Sequence, residues 1–258
     1  MSTASTARFE GLLRLVHDGP VAEIHLDRPP ANALNTELIA ALDAALVSCH
    51  GAGAIVLTGR PGMFSGGLDV PLLLPWDRAA IHEFWRAFFT VNRRLVTSPV
   101  PVVAAISGHS PAGGAVLAIH CDYRLAARGN FRIGLNEVAV GLPIPPSILT
   151  ALRETVGARW AHRLASTADL LPVDKALECG LVDELAEPEA LLGRAREVAT
   201  RLAGLPRIAL CRTRERSRSE LLRVLDPEAE AELATEYWFS AETQAGMRAL
   251  VERLNRKQ

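Results

Sequence analysis

Ser107-Gly-His-Ser-Pro-Ala-Gly-Gly-Ala-Val-Leu-Ala-Ile-His-Cys-Asp122 follows an apolar run of strand length, Val102–Ile106. Within it a turn rich in Ser, Gly and Pro gives way to Gly113-Gly114, which opens a helix through Ala115, Val116, Leu117, Ala118 and Ile119. The first N–H groups of a helix have no intrahelical acceptor and lie at the positive end of its dipole. Glycine lets a ligand come close to that backbone. Strand, turn and glycine-opened helix therefore make a place for negative charge: a phosphate, a carboxylate or an oxyanion. A tight strand-to-helix turn packed on a neighbour has the same sequence, and the stretch by itself favours that plainer reading.

The stretches on either side change the balance. Upstream, Phe64-Ser-Gly-Gly-Leu-Asp69 is another glycine-rich turn after an apolar run. Downstream, Phe131-Arg-Ile-Gly-Leu-Asn-Glu137 sets a carboxylate just past a strand-like run. In this order and spacing the three resemble the crotonase family, the enoyl-CoA hydratases and isomerases. The monofunctional 3,2-enoyl-CoA isomerases of that family carry Ser-Pro-Ala-Gly-Gly, Cys-Asp-Tyr-Arg and Ile-Gly-Leu-Asn-Glu. Those motifs stand here at Ser110–Gly114, Cys121–Arg124 and Ile133–Glu137. The resemblance runs from about Phe9 to the C-terminal helices.

The resemblance implies an α/β fold: a crotonase-like ββα spiral core over residues 1–200 and a C-terminal helical trimerisation region over residues 201–258. It implies an acyl-CoA thioester as substrate, with CoA part of that substrate and no separate cofactor or metal. Residues at the places of Ala31 and Ala33 lie along the CoA moiety in the family. Gly66, Gly67, Leu68, Asp69, Val70, Gly113 and Asn136 complete the expected substrate-binding set. The N–H groups of Leu68 and Gly113 stand at the two halves of the family's oxyanion hole, and Glu137 at its catalytic glutamate. Backbone suits that task, because two converging N–H groups bind a thioester oxygen more tightly once it becomes an enolate. Asn136 is expected to position the substrate or Glu137. The family also implies self-association as a trimer or hexamer.

Composition agrees with an enzyme of this kind. The chain has 258 residues, 49% of them hydrophobic, and a formal net charge of -1. That charge creates no global field towards nucleic acid or an anionic membrane. Cys49, Cys121, Cys179 and Cys211 show neither Cys-x-x-Cys spacing nor a disulfide pattern, which fits a reducing compartment. The first residues lack the apolar core of a signal peptide, and no run approaches membrane-spanning length. A cytoplasmic protein is expected.

Read in order, Phe9–Val16 and Val21–Leu26 predict a hairpin across Asp18-Gly19-Pro20. Asn35 predicts a cap for a helix with Leu38, Leu42, Ala45 and Leu46 on one face, and Ala54–Leu57 a strand. From Asp77 a helix carries Ile81, Trp85 and Phe88 at helical spacing; that stripe is either core or acyl-pocket lining. Tyr123–Ala127 and Phe131–Ile133 read as strands, and Leu181–Glu184 as a last one. Helices are expected over 159–165, 172–180, 188–205, 207–225, 227–239 and 242–257. Tyr237, Trp238 and Phe239 fall in the expected trimerisation region. Arg212, Arg214, Arg216, Arg218 and Arg223 form either a solvated face with Glu215 and Glu220 or a contact to CoA phosphates.

One position departs from the hydratases. They carry a first glutamate one turn into the helix that Gly113 opens, where this chain has Val116. Adding water needs a water activated at one carbon and a proton supplied at the next, and two carboxylates suit that. Moving a double bond from the 3 to the 2 position needs one base, and Glu137 alone suffices. Its apolar surroundings, Val138 to Pro143, would raise its pKa. The reading is therefore an enoyl-CoA isomerase, with His109 the next candidate base. A hydratase, or another crotonase-type enzyme, is the alternative. A non-catalytic binding protein of the same fold is the alternative from another class; the near-neutral charge disfavours nucleic acid, and the arginine cluster favours it.

Overall fold

The computed structural model describes residues 5–9 and 11–256. Strands β1 (Ser5–Phe9), β2 (Leu13–Asp18) and β3 (Val21–Leu26) form an antiparallel meander. The hairpin at Asp18-Gly19-Pro20 is present. The run from Phe9 is not one strand, however, because Gly11 turns the chain at φ 73° and separates β1 from β2. Helix α1 (Thr36–Ser48) starts at Asn35, whose side chain accepts from Leu38 N at 3.0 Å.

The core is then built by a repeated unit in which a strand of a large sheet continues into a strand of a small one before a helix returns. β4 (Ala54–Thr58) and β5 (Gly62–Met63) lead to α2 (Val70–Leu73) and α3 (Arg78–Thr97). β6 (Val102–Ile106) and β7 (Gly108–Pro111) lead to α4 (Gly113–Ile119). β8 (Tyr123–Ala127) and β9 (Arg132–Gly134) lead through a 3-10 turn, Glu137–Val140, to α5 (Pro146–Thr167). β10 (Leu171–Pro172), α6 (Val173–Glu178) and β11 (Glu184–Ala186) follow. The large sheet has seven strands in the order β1-β2-β3-β4-β6-β8-β11, and the small one four, β10-β9-β7-β5. From β3 onward the large sheet is parallel. β4 and β6 are buried at every position, so they read as continuous apolar runs rather than alternating ones.

Two expectations are corrected here. The stretch before Gly113 is not only a turn: Gly108–Pro111 is a strand, paired with Gly62-Met63 and with Ile133-Gly134. The last strand lies at Glu184–Ala186 instead of Leu181–Glu184; Leu181 and Val182 are core residues of the preceding loop.

Helix α7 (Leu191–Ala203) covers one face of the large sheet, packing Leu191, Ala195, Val198 and Ala199 on Val56, Val103 and Leu125. The other face carries the main core, including α1, α3 and α4. Next come α8 (Arg207–Ser217), α9 (Ser219–Val224), α10 (Pro227–Trp238) and α11 (Ala241–Asn255). The expected helix 207–225 is broken at Arg218, which has non-helical φ/ψ. Trp238 is fully buried and meets the edge of Trp85 at 6.1 Å between centroids. Its ring therefore belongs to the core of this chain and is not free for a subunit contact; burying such a side chain contributes about 1.5–3 kcal/mol.

The arginine cluster divides. Arg214 is buried and makes two 2.8 Å bonds to Asp122, with a third of 2.6 Å to Ser98 O. Arg218 joins the same carboxylate at 3.1 Å and donates to Cys121 O at 2.9 Å. Together they fasten α8 to the turn after α4. Arg212 and Arg223 are exposed and pair with Glu215 and Glu220. Among the described residues no helix is long and apolar enough to cross a membrane.

Candidate active site

The turn after β5 is held by the loop Ala31–Leu34, which runs beside it. Gly66 N donates to Ala31 O at 2.7 Å, Gly67 N to Ser65 Oγ at 3.2 Å, Asp69 N to Leu34 O at 3.0 Å and Val70 N to Leu68 O at 2.9 Å. Of the N–H groups from Gly66 to Val70, that of Leu68 alone has no acceptor among the described residues. A buried N–H without a partner costs free energy, and native structures rarely leave one without a reason.

The Gly113 N–H, like those of Gly114 and Ala115 in the first turn of α4, also has no acceptor among the described residues, and it is the one nearest the turn that carries Leu68. Its neighbour Ala112 donates to Gly134 O at 2.8 Å, and Ala112 O accepts from Val116 N at 2.9 Å, while Gly113 opens α4. Ala112 has φ 46° and ψ -120°, a conformation that costs a residue with a side chain about 1–3 kcal/mol. That strain sits one peptide before the donor. The two turns touch: a Cβ at Gly67 would lie 3.4 Å from Gly113 N, and one at Gly113 would lie 3.5 Å from Leu68 Cδ2. Leu68 and Gly113 border one cavity of about 480 Å³.

Glu137 stands in the same cavity. Trp85, Phe88, Val116, Val140, Leu142 and Ile148 form much of its wall, and Glu137 is the only ionisable residue lining it among the described residues. The residue is 8% exposed, and its Oε2 is buried with no hydrogen-bond partner. Loss of hydration pushes its pKa up to about 7, only partly opposed by its own backbone N–H. A carboxylate with that pKa is a base matched to neutral pH. Asn136 also lines the cavity, and its Oδ1 is likewise buried without a partner.

Of the residues expected from the sequence, Gly66, Leu68, Val70, Gly113, Asn136 and Glu137 line the cavity. Ala31, Ala33, Gly67 and Asp69 do not line it. Ala31 offers its carbonyl to Gly66, and Ala33 its carbonyl to Arg28 at 2.9 Å. Asp69 caps α2 and pairs with Arg28 at 2.7 Å. Val116 forms part of the cavity wall. Trp85 and Phe88 face the cavity, while Ile81 is core only. His109 lies elsewhere: its ring meets Phe131, and its Nδ1 accepts from Arg132 N at 3.2 Å. Sequence reasoning missed Leu170 and the α11 residues Met247, Leu250 and Leu254. The family resemblance implied that the last helices reach towards an active site, but not which of their residues line it. Thr243 Oγ1 donates to Gly141 O at 2.5 Å, joining α11 to the turn that carries Glu137.

Comparison with known proteins points to one family. The family model described as enoyl-CoA hydratase/isomerase matches residues 17–257. The mitochondrial enoyl-CoA delta isomerase 1 of Rattus norvegicus is 33% identical over 72% of this chain, and the match spans 66% of the rat protein's length. The short-chain-enoyl-CoA hydratase of Clostridium acetobutylicum is 31% identical over 76% of this chain and 77% of its own. The crystal structure of human mitochondrial delta3-delta2-enoyl-CoA isomerase superposes with a TM-score of 0.90 at 27% identity, covering 99% of both chains.

Proposed function

Because the chain belongs to the enoyl-CoA hydratase/isomerase family, we propose that it is a 3,2-enoyl-CoA isomerase with Glu137 as its single base. The observation that carries this reading is Glu137 as the one carboxyl lining the cavity among the described residues, with Val116 facing the same space. Glu137 removes a proton from C2 of a 3-enoyl thioester, and the electron pair moves through the C1–C2 bond onto the thioester oxygen. The N–H groups of Leu68 and Gly113 hold that oxygen, and hold it more tightly as charge develops. The protonated carboxyl then returns its proton at C4, and the double bond comes to rest between C2 and C3. Nothing is consumed. The apolar wall suits a hydrocarbon acyl chain. Assembly as a trimer or a dimer of trimers belongs to the same reading.

The test is Glu137→Gln, which keeps the shape and removes the base. Conversion of a 3-enoyl-CoA, followed by ultraviolet absorbance, should fall at least about 10²-fold while a saturated acyl-CoA still binds. A folded variant with near wild-type turnover would place the base elsewhere.

A further inference from the structure

Asn32 is fully buried and has a left-handed backbone, φ 48°. Asparagine enters that region more readily than most residues. Each of its hydrogen-bonding groups is engaged. Its N–H donates to Arg28 O at 2.8 Å, and its Oδ1 accepts from Arg28 N at 2.9 Å, which closes the loop on itself. Its Nδ2 donates to Phe64 O at 3.0 Å and to Met63 O at 3.4 Å. Its carbonyl accepts from Ser65 Oγ at 2.8 Å, and the same Oγ accepts from Gly67 N. The neighbouring Ala31 and Leu34 take Gly66 N and give to Gly67 O, each at 2.7 Å. Ser65, Gly66 and Gly67 are therefore held by a loop whose shape Asn32 fixes. Neither Asn32 nor Ser65 lines the cavity.

We infer that Asn32, acting through Ser65, is a positioning residue for the Leu68 N–H donor, setting its direction without touching the substrate. The inference rests on the oxyanion reading of Leu68 and Gly113. A misplacement of about 1 Å costs a reaction on the order of 10² in rate. A donor that binds most strongly in the transition state affects kcat when it moves, and KM little.

Asn32→Gly keeps a backbone at ease in the left-handed region and removes the amide. Ser65→Ala removes the hydroxyl between Asn32 O and Gly67 N, and is the gentler change if Asn32→Gly does not fold. After circular dichroism, each variant is measured for kcat and KM on a 3-enoyl-CoA. Binding is measured with hexanoyl-CoA carrying carbon-13 in its thioester carbonyl, whose stretching frequency falls as donors to the oxygen strengthen. The expected kcat is lower by about 10- to 10²-fold in Asn32→Gly and about tenfold in Ser65→Ala. KM and affinity stay within about threefold, and the carbonyl band returns towards its position in water. A purely structural role predicts less folded protein or weaker binding, with the band of the bound label at its wild-type position. That result, or folded variants with wild-type kcat, overturns the inference alone. An unshifted band in the wild-type complex overturns the oxyanion reading and this inference with it.

Discussion

Glu137→Gln should stabilise the fold at alkaline pH while abolishing the chemistry. Burial raises the Glu137 pKa from 4.5 to about 7. At 1.36 kcal/mol per pH unit this separation amounts to about 3 kcal/mol. The folded chain binds the proton more tightly than the unfolded chain, so the favourable contribution is whole below about pH 4.5. It is lost as pH rises to about 7. Above that, the native state carries a desolvated carboxylate whose Oε2 has no partner. Glutamine resembles the protonated acid and stays neutral at every pH. Relative to wild type, the variant should gain up to about 3 kcal/mol between pH 5 and pH 8. At about 2–4 °C per kcal/mol, that is several degrees in Tm. Thermal melts of both proteins at the two pH values give the answer. A Tm difference that does not change between pH 5 and pH 8 would refute the reasoning, because the carboxyl would then titrate alike in both states.

Gly113→Pro deletes the proposed donor and should lower turnover by about 10²–10³-fold in protein shown to be folded by circular dichroism; full activity there would remove Gly113 from the oxyanion hole. Asp122→Ala strips the largely but not fully buried partner of Arg214 and Arg218 and should cost about 3 kcal/mol in denaturant unfolding; a loss below about 1 kcal/mol would mean the two guanidinium groups find water instead. Light scattering should report a trimer or hexamer, as closed symmetric assemblies are the usual outcome for soluble oligomers; a stable monomer would contradict that proposal.

Much of the fold was legible where local chemistry and tertiary environment agree. Asn35 announced its helix because an amide oxygen over the first turn satisfies an orphan N–H, and it does so for Leu38. β4 and β6 were plain because a strand buried on both faces has no polar position. β7 was hidden, since Gly-His-Ser-Pro has little strand preference. It is a strand because Gly108 passes so close to the Gly62-Met63 backbone that a Cβ would collide with it. At the site, the motifs named Leu68, Gly113 and Glu137 in advance, and all three line the cavity. Asp69 and Gly67 could not be sorted from true lining residues, because a one-residue step in a turn decides which group faces the cavity. The resemblance implied that the last helices reach towards an active site, but not which α11 residues form wall, as no local pattern says which surface an amphipathic helix will meet. The same limit hid Arg214 and Arg218, whose partner Asp122 lies far away in sequence.

The single-base account is tested most directly by the products that wild-type protein makes from a 2-enoyl-CoA in water, resolved by mass and chromatography, with Val116→Glu in parallel. With one carboxyl lining the cavity among the described residues, wild type should interconvert the 2- and 3-enoyl thioesters and yield little 3-hydroxyacyl-CoA. Val116→Glu should raise hydration relative to isomerisation, weakly, because an unsupported charge in an apolar wall is costly. Wild-type formation of 3-hydroxyacyl-CoA at a rate equal to or above isomerisation would contradict the account and make the protein a hydratase.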